Sequence, residues 1–484
     1  MIRDGSNKKL LDRIWDKIPP TPFCFLGMGI FRVWTGTVND SAAFPLVDFS
    51  AYGYFDIVTA AFLLCLAALS RWIVPLCRKP FIFPLTGFFM IACACMRFYT
   101  VLHPELAATL TTPALFLGAL GVGLILMLWS EFYGCINPLR VALYYSAGII
   151  VSVFLLWIFK GLAFYWLWAG TCIVPVVSLG CLWRSYKTLP EDEYPHASWG
   201  KFSFPWKPIL VVCLYSFAFG LHESIFHGYL SYSSGEGDLF AALFVYLGIM
   251  LRRETFNFSL IWKLAMPLML LSLVPFGLLL PGGSWLTDVS AVASYTLYTI
   301  LIVVILSNLS YRYGVCALWI FGIERAVRLI AVQAGIGASQ FIWAADAPQS
   351  AAFVPTTVII AVIIVIVTRF FFSEKQLSSP WGVLLEQPLD KNREAYLEKN
   401  RIGMKCRELA KQYDLTTREE EILLLLCLGK KPAAIEEELY VAKSTVKTHI
   451  KHIYQKMGLH SREELFELVG VNPRCYGTSP NTQP

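Results

Sequence analysis

The stretch Lys443-Ser444-Thr445-Val446-Lys447-Thr448-His449-Ile450-Lys451-His452-Ile453-Tyr454-Gln455-Lys456-Met457 carries two helical patterns at once. Val446, Ile450, Ile453 and Met457 recur at i, i+4, i+7 and i+11, which buries one face of an α-helix. Lys443, Lys447 and Lys451 recur every four residues on another face, with Ser444 and Thr448 beside them. No acid occurs between Glu438 and Glu463, although Glu436, Glu437 and Glu438 crowd the residues just before. A lysine row with short hydroxyl side chains and no carboxylates suits the major groove of duplex DNA, where phosphates repel acids and base edges need donors. Taken alone, the row fits a solvated helix face equally well.

The flanking residues complete a small helical block over 415–470. Thr416 or Thr417 can cap a helix whose first turn holds Glu419 and Glu420, matching the positive end of its dipole. Leu415, Ile422, Leu425, Leu426 and Leu428 give that helix a buried stripe, and Gly429 ends it. A short second helix opens at Pro432 and turns Ile435 and Leu439 inward. After Tyr440-Val441-Ala442 comes the lysine-bearing helix, and Ser461 caps a fourth that carries Leu465, Leu468 and Val469.

LTTREEEIL, Gly429, Ile435, Leu439, STVKTHI at 444–450 and IYQKMGLHSREEL at 453–465 resemble the LuxR/NarL-type helix-turn-helix family. The resemblance implies a four-helix DNA-binding domain. Its third helix would enter the major groove and its fourth would support a homodimer on a two-fold site. By position it implies that Lys447, Thr448 and Lys451 read bases, that Lys443, Ser444 and Thr445 contact the backbone, and that Val446, His449 and Ile450 anchor the helix to its own core. His449 is expected to be a packed or phosphate-touching residue, with no metal site and no cofactor. Two positions depart from the pattern: Glu436 stands where a small residue usually follows the isoleucine, and Ala442 replaces the usual capping serine.

The rest of the chain is different in kind. Of 484 residues, 56% are hydrophobic and 15% charged, against about 25% charged in soluble domains. That balance excludes an ordinary soluble globule of this size, and the apolar and aromatic content excludes disorder. Most of the thirteen cysteines lie inside apolar runs, and no CxxC pair or Cys/His cluster with zinc spacing occurs. Twelve apolar segments are expected, at 21–38, 50–70, 81–101, 110–130, 141–159, 162–183, 208–229, 238–251, 259–280, 289–309, 313–337 and 350–370. Each is read as a membrane-spanning helix.

Alternate loops hold nearly all the basic residues, among them Arg3, Lys8, Arg71, Arg78, Lys79, Arg140, Arg184, Lys187, Arg252 and Arg312, with Lys160 the exception. The positive-inside rule then puts both termini in the cytoplasm of a bacterial cell, with the chain passing many times through its membrane. The organisation reads as a cytoplasmic segment at 1–20, a transmembrane bundle at 21–373, a linker and connecting helix at 374–414, the helix-turn-helix at 415–470 and a flexible tail at 471–484. The fold class is all-α, a polytopic bundle followed by the four-helix domain. Twelve spans divided six and six by the 184–207 loop resemble a major-facilitator-type bundle in topology, although SRWIVPLCRKP lacks the glycine–aspartate–arginine signature of such transporters.

Ionisable residues inside spans are expensive in lipid unless they are paired or face a cavity. Arg32 and Asp56 are expected to pair. Glu223 and His227 lie one turn apart, as do Glu324 and Arg328, which leaves Arg325 needing a partner or an anion. Two readings stay open: ion pairs that hold the bundle together, or a cavity lined by Arg32, Glu223 and Arg325 that binds a small anionic molecule. No P-loop, kinase glycine loop, HExxH or GxSxG occurs, so no catalytic residue and no enzyme activity are expected. The functional expectation is a ligand-responsive membrane regulator with duplex DNA and membrane lipid as partners. A transporter that also regulates and a simple membrane tether are the alternatives.

Overall fold

The computed structural model describes residues 22–38, 49–189, 194–195, 205–227, 235–251, 259–273, 283–342, 353–371, 394–439 and 441–470. The expectations for 1–20, for the 374–393 linker and for the 471–484 tail lie outside these residues, as does the side chain of His227. The architecture is all-α, and no β-strand occurs among the described residues.

Long apolar stretches become helices because in them every backbone group is satisfied within the segment. The helices up to Phe371 are α1 (Gly27–Val38), α2 (Phe49–Ile73), α3 (Ile82–Leu102), α4 (Ala107–Tyr133), α5 (Pro138–Lys160), α6 (Phe164–Lys187), α7 (Trp206–His227), α8 (Gly235–Leu251), α9 (Ser259–Ser272), α10 (Gly283–Tyr313), α11 (Ala317–Ile342) and α12 (Phe353–Phe371). Among the described residues, six stretches are long and apolar enough to cross a membrane: Gly53–Ile73, Ile82–Leu102, Pro104–Tyr133, Pro138–Lys160, Phe164–Lys187 and Trp285–Tyr311. Phe23–Val38, Leu260–Ser272 and Val358–Arg369 are apolar but shorter.

The packing of these helices repeats. α1 lies against α5 and α6, α2 against α4, and α3 against α4; six helices later, α7 lies against α11 and α12, α8 against α10, and α9 against α10. The two halves meet where α2 packs on α11 and α5 on α8. Glycines permit the tightest crossings at equivalent places, since small residues let helix backbones approach. A Cβ on Gly29 of α1 would collide with the Gly148 backbone of α5. One on Gly220 of α7 would strike the Val332 carbonyl of α11, and one on Gly335 of α11 the Phe217 carbonyl of α7. Buried Glu131 at the end of α4 accepts the amides of Leu76 (3.0 Å) and Cys77 (3.2 Å), which fixes the loop between α2 and α3.

A second, separate core belongs to the C-terminal helices α13 (Glu394–Gln412), α14 (Thr417–Cys427), α15 (Pro432–Leu439), α16 (Lys443–Met457) and α17 (Arg462–Val469). The connecting helix α13 is part of this core: Ile402, Cys406 and Leu409 are buried with Ile422, Ile435, Val446, Ile453 and Leu465. Its second half is thus built into the C-terminal unit, because its apolar stripe needs a surface to cover.

The two cores touch. α13 packs on α10, and α15 lies against the start of α5. Arg140 Nη2 donates to the Glu437 carbonyl at 2.9 Å, and the Tyr311 hydroxyl donates to Glu438 Oε1 at 2.6 Å.

Candidate DNA-binding site

The scaffold of the site is built by local capping. Thr416 forms a capping box with Glu419: its hydroxyl accepts the Glu419 amide, and the Glu419 carboxylate accepts the Thr416 amide at 2.8 Å. Burial opposes ionisation of Glu419, but the Lys456 ammonium at 2.8 Å and the Thr416 groups outweigh it and hold the carboxyl below its usual range. Gly429, Gly458 and Gly470 take positive φ values of 83°, 67° and 73°, which lets the chain leave α14, α16 and α17 through left-handed turns. Ser461 accepts the Glu464 amide and starts α17.

Two arginines then fix the turn between helices. Arg418 bridges from Glu421 (2.8 Å) to the Leu439 carbonyl at the end of α15 (2.9 Å). Arg462 donates to the Leu426 and Lys430 carbonyls at 3.1 and 3.0 Å and lies over the Phe466 ring. Arg462 thereby ties the last turn of α14 to the loop that follows it, and Arg418 ties the start of α14 to the end of α15. Ala442 leaves the start of α16 without a side-chain cap, as its missing hydroxyl requires.

α16 separates its two faces cleanly. Val446, Ile453 and Met457 are buried, and Ile450 is half-buried beside them. Lys443, Ser444, Lys447, Thr448 and Lys451 are exposed and Thr445 is half-exposed, so all six residues expected at the nucleic-acid face lie outside the core. The Thr448 hydroxyl donates back to the Ser444 carbonyl at 2.9 Å, leaving its oxygen lone pairs outward. A lysine-lined helix held across its scaffold by α14 and α15 is the geometry of a helix-turn-helix, in which the second helix of the motif presents its side chains to base edges.

Residues 413–469 match the family model described as bacterial regulatory proteins, luxR family. The C-terminal unit is a LuxR-family helix-turn-helix domain, a DNA-binding module of transcription regulators. Among similar proteins, the probable transcriptional regulatory protein NarL of Mycobacterium tuberculosis is 48% identical over 48 residues, 10% of this chain and 22% of that protein. The HTH-type transcriptional regulator MalT of Yersinia pestis is 38% identical over 71 residues, 15% of this chain and 8% of that protein. The chain thus spans less than a quarter of the length of these relatives.

The second group of expected residues, Arg32, Glu223 and Arg325, is divided between two polar clusters in the bundle. Arg32 on α1 pairs with Asp238 on α8 at 2.6 Å, and Asp238 also accepts the Thr296 hydroxyl. This corrects the expected Arg32–Asp56 pair: Asp56 instead accepts the Gln333 amide at 2.7 Å, because α2 packs on α11. On α11, Arg328 Nε stands 3.0 Å from Glu324 Oε1, close enough for an ion pair but off the hydrogen-bonding direction. Arg328 also donates to the hydroxyls of Tyr295 and Thr299. Arg325 is buried in the same cluster, with its Nε unmatched. Arg32 and Arg328 both feel Tyr145 and Tyr295, so Arg32 belongs with this group. Glu223 does not: it faces Asp288 and Asp56, where His222 Nε2 lies 3.6 Å from Asp288.

Sequence reasoning missed Asp238, Tyr295, Thr299, Tyr311 and Arg140. The Glu436–Glu438 run was the one available signal for the contact beneath the bundle, since an acidic run on a DNA-binding unit needs a reason that DNA cannot supply.

Proposed function

We propose that the chain is a membrane-integrated, one-component transcription regulator of bacterial type, multi-pass with both termini cytoplasmic. It binds duplex DNA through α16 as a homodimer and responds to a small anionic ligand held by the bundle. It is not an enzyme. The observation that carries this reading is where the DNA-binding unit touches the bundle. Arg140 belongs to the first half and Tyr311 to the second, and both contact α15. Rocking of one half against the other cannot preserve both contacts. A ligand that binds one bundle state better than the other would therefore shift the position of α15 and so the pairing of the reading helices. Lys443, Lys447 and Lys451 supply phosphate and base contacts, with Thr448 reading beside them and Ser444 and Thr445 on the backbone. Leu468, 38% exposed on α17, offers an apolar contact for a second copy.

The buried, unmatched Arg325 Nε supports an anionic ligand near Arg32 and Arg325, whereas Glu223 lines the bundle at the acidic cluster and so serves a different part of any cavity. The test is expression of a target gene under wild-type and Tyr311→Phe chains. The variant loses a hydrogen bond to a charged acceptor, about 1.5–3 kcal/mol. Regulated expression should shift at least about tenfold, since 1.4 kcal/mol is a factor of ten. Unaltered regulation would remove the α15 contact from the signal path.

A second reading, a transporter that also regulates, is favoured by the six-helix repeat, because inter-half seams of this kind suit alternating access. Substrate flux in reconstituted vesicles separates the two readings. A bare tether would keep its target genes when the bundle is deleted.

A further inference from the structure

We propose that Glu419, His449 and His452 form a binding site for a divalent cation of the zinc class, one that ties the reading helix to its scaffold. Sequence gives no hint of it, because Glu419 lies 30 and 33 positions before the two histidines. Folding brings one ligand atom of each within 4.8 Å of the other two. Tetrahedral Zn–N and Zn–O bonds of about 2.0–2.1 Å place ligand atoms roughly 3.4 Å apart, so rotation of the exposed His452 ring closes the set.

Each ligand is prepared for the role. His449 Nδ1 is a buried nitrogen with no hydrogen-bond partner. Glu419 has one oxygen, Oε2, engaged by the Thr416 amide and Lys456 at 2.8 Å each, while Oε1 faces His452 Nδ1 at 4.0 Å. Thr416 and Lys456 thereby orient the carboxylate from its far oxygen, as outer-shell partners of metal ligands do. The His452 side chain is 51% exposed, so a cation enters from solvent and water fills the fourth position. Two imidazoles and a carboxylate suit Zn²⁺, Co²⁺ or Ni²⁺ over Mg²⁺ or Ca²⁺, which prefer all-oxygen sets.

The test is Co²⁺ titration of the detergent-purified full chain, read by the visible d–d absorption of the bound ion, on wild type, His452→Ala and His449→Ala. Other histidines and cysteines bind Co²⁺ alike in all three chains, so the difference between isotherms reports this site. Wild type should take up one more tightly bound Co²⁺ than His452→Ala, with at least tenfold weaker binding in the variant and displacement of the band by Zn²⁺. Because His452 is exposed, its variant keeps the fold even if His449→Ala does not. Superimposable isotherms for wild type and His452→Ala would overturn the site.

Discussion

Replacing Lys447 or Lys451 with alanine isolates nucleic-acid contact from folding. Both side chains are exposed on α16, one turn apart and away from the buried Val446, Ile453 and Met457. A substitution at such a surface position changes stability by about 0.5 kcal/mol or less. A lysine that reaches a base edge is worth about 1–3 kcal/mol of binding. At 1.4 kcal/mol per decade, each variant should therefore bind about 5- to 150-fold more weakly. The assay is fluorescence anisotropy of the full chain in detergent with a duplex selected for tight binding, repeated over a series of salt concentrations. A base-reading lysine shows a larger loss on the selected duplex than on a scrambled one. A phosphate-only lysine loses equally on both and lowers the salt slope by about one. Wild-type affinity for the selected duplex in both variants would refute the assignment of this face to the groove.

Other perturbations probe the remaining elements. Arg325→Ala should abolish the response to an inducing ligand while leaving basal DNA affinity unchanged, and a wild-type dose response would place that residue outside the ligand site. Glu419→Gln should flatten the acid limb of stability. The folded carboxyl is held below its usual value near 4.5, so its contribution is complete above that pH and is lost as pH falls through the depressed value. The protection of α14 and α16 amides, taken relative to their intrinsic exchange rates, should thus fall in wild type below about pH 4.5, with a weaker pH dependence in the variant; parallel profiles would contradict the ion pair. Thr416→Ala should cost about 1 kcal/mol of that same unit's stability through its lost cap, read from denaturant midpoints of α14 exchange, and an unshifted midpoint would count against the capping box.

The features legible in the sequence are local ones. Thr416 or Thr417 before an apolar run announces a capped helix start, and the structure settles on Thr416, in a capping box with Glu419. Val446, Ile450, Ile453 and Met457 announce a buried face, which the structure forms with Ile450 at its edge, while Gly429 and Ser461 mark a helix end and a helix start that the structure takes. The i, i+4 pairing of Glu324 with Arg328 was equally visible, because both partners ride on one helix. What could not be read depends on which helices become neighbours. Arg32 finds Asp238 across 206 positions, and Asp56 finds Gln333 across 277. No periodicity within a segment encodes those partners. The inclusion of α13 in the C-terminal core was hidden for a related reason: its stripe of Ile402, Cys406 and Leu409 specifies a covered face without saying what covers it. The approach of Glu419 to His449 and His452 was not legible either, because it arrives only with the tertiary fold.

Formaldehyde cross-linking in growing cells, followed by recovery of DNA with the intact chain from the membrane fraction, addresses the joint claim of membrane residence and sequence reading. The same short genomic segments should be enriched with the wild-type chain and lost with the Lys447→Ala, Lys451→Ala double variant. Equal enrichment of all DNA in both chains, or removal of a C-terminal tag by protease added outside intact cells, would contradict a bundle that presents α16 to the chromosome.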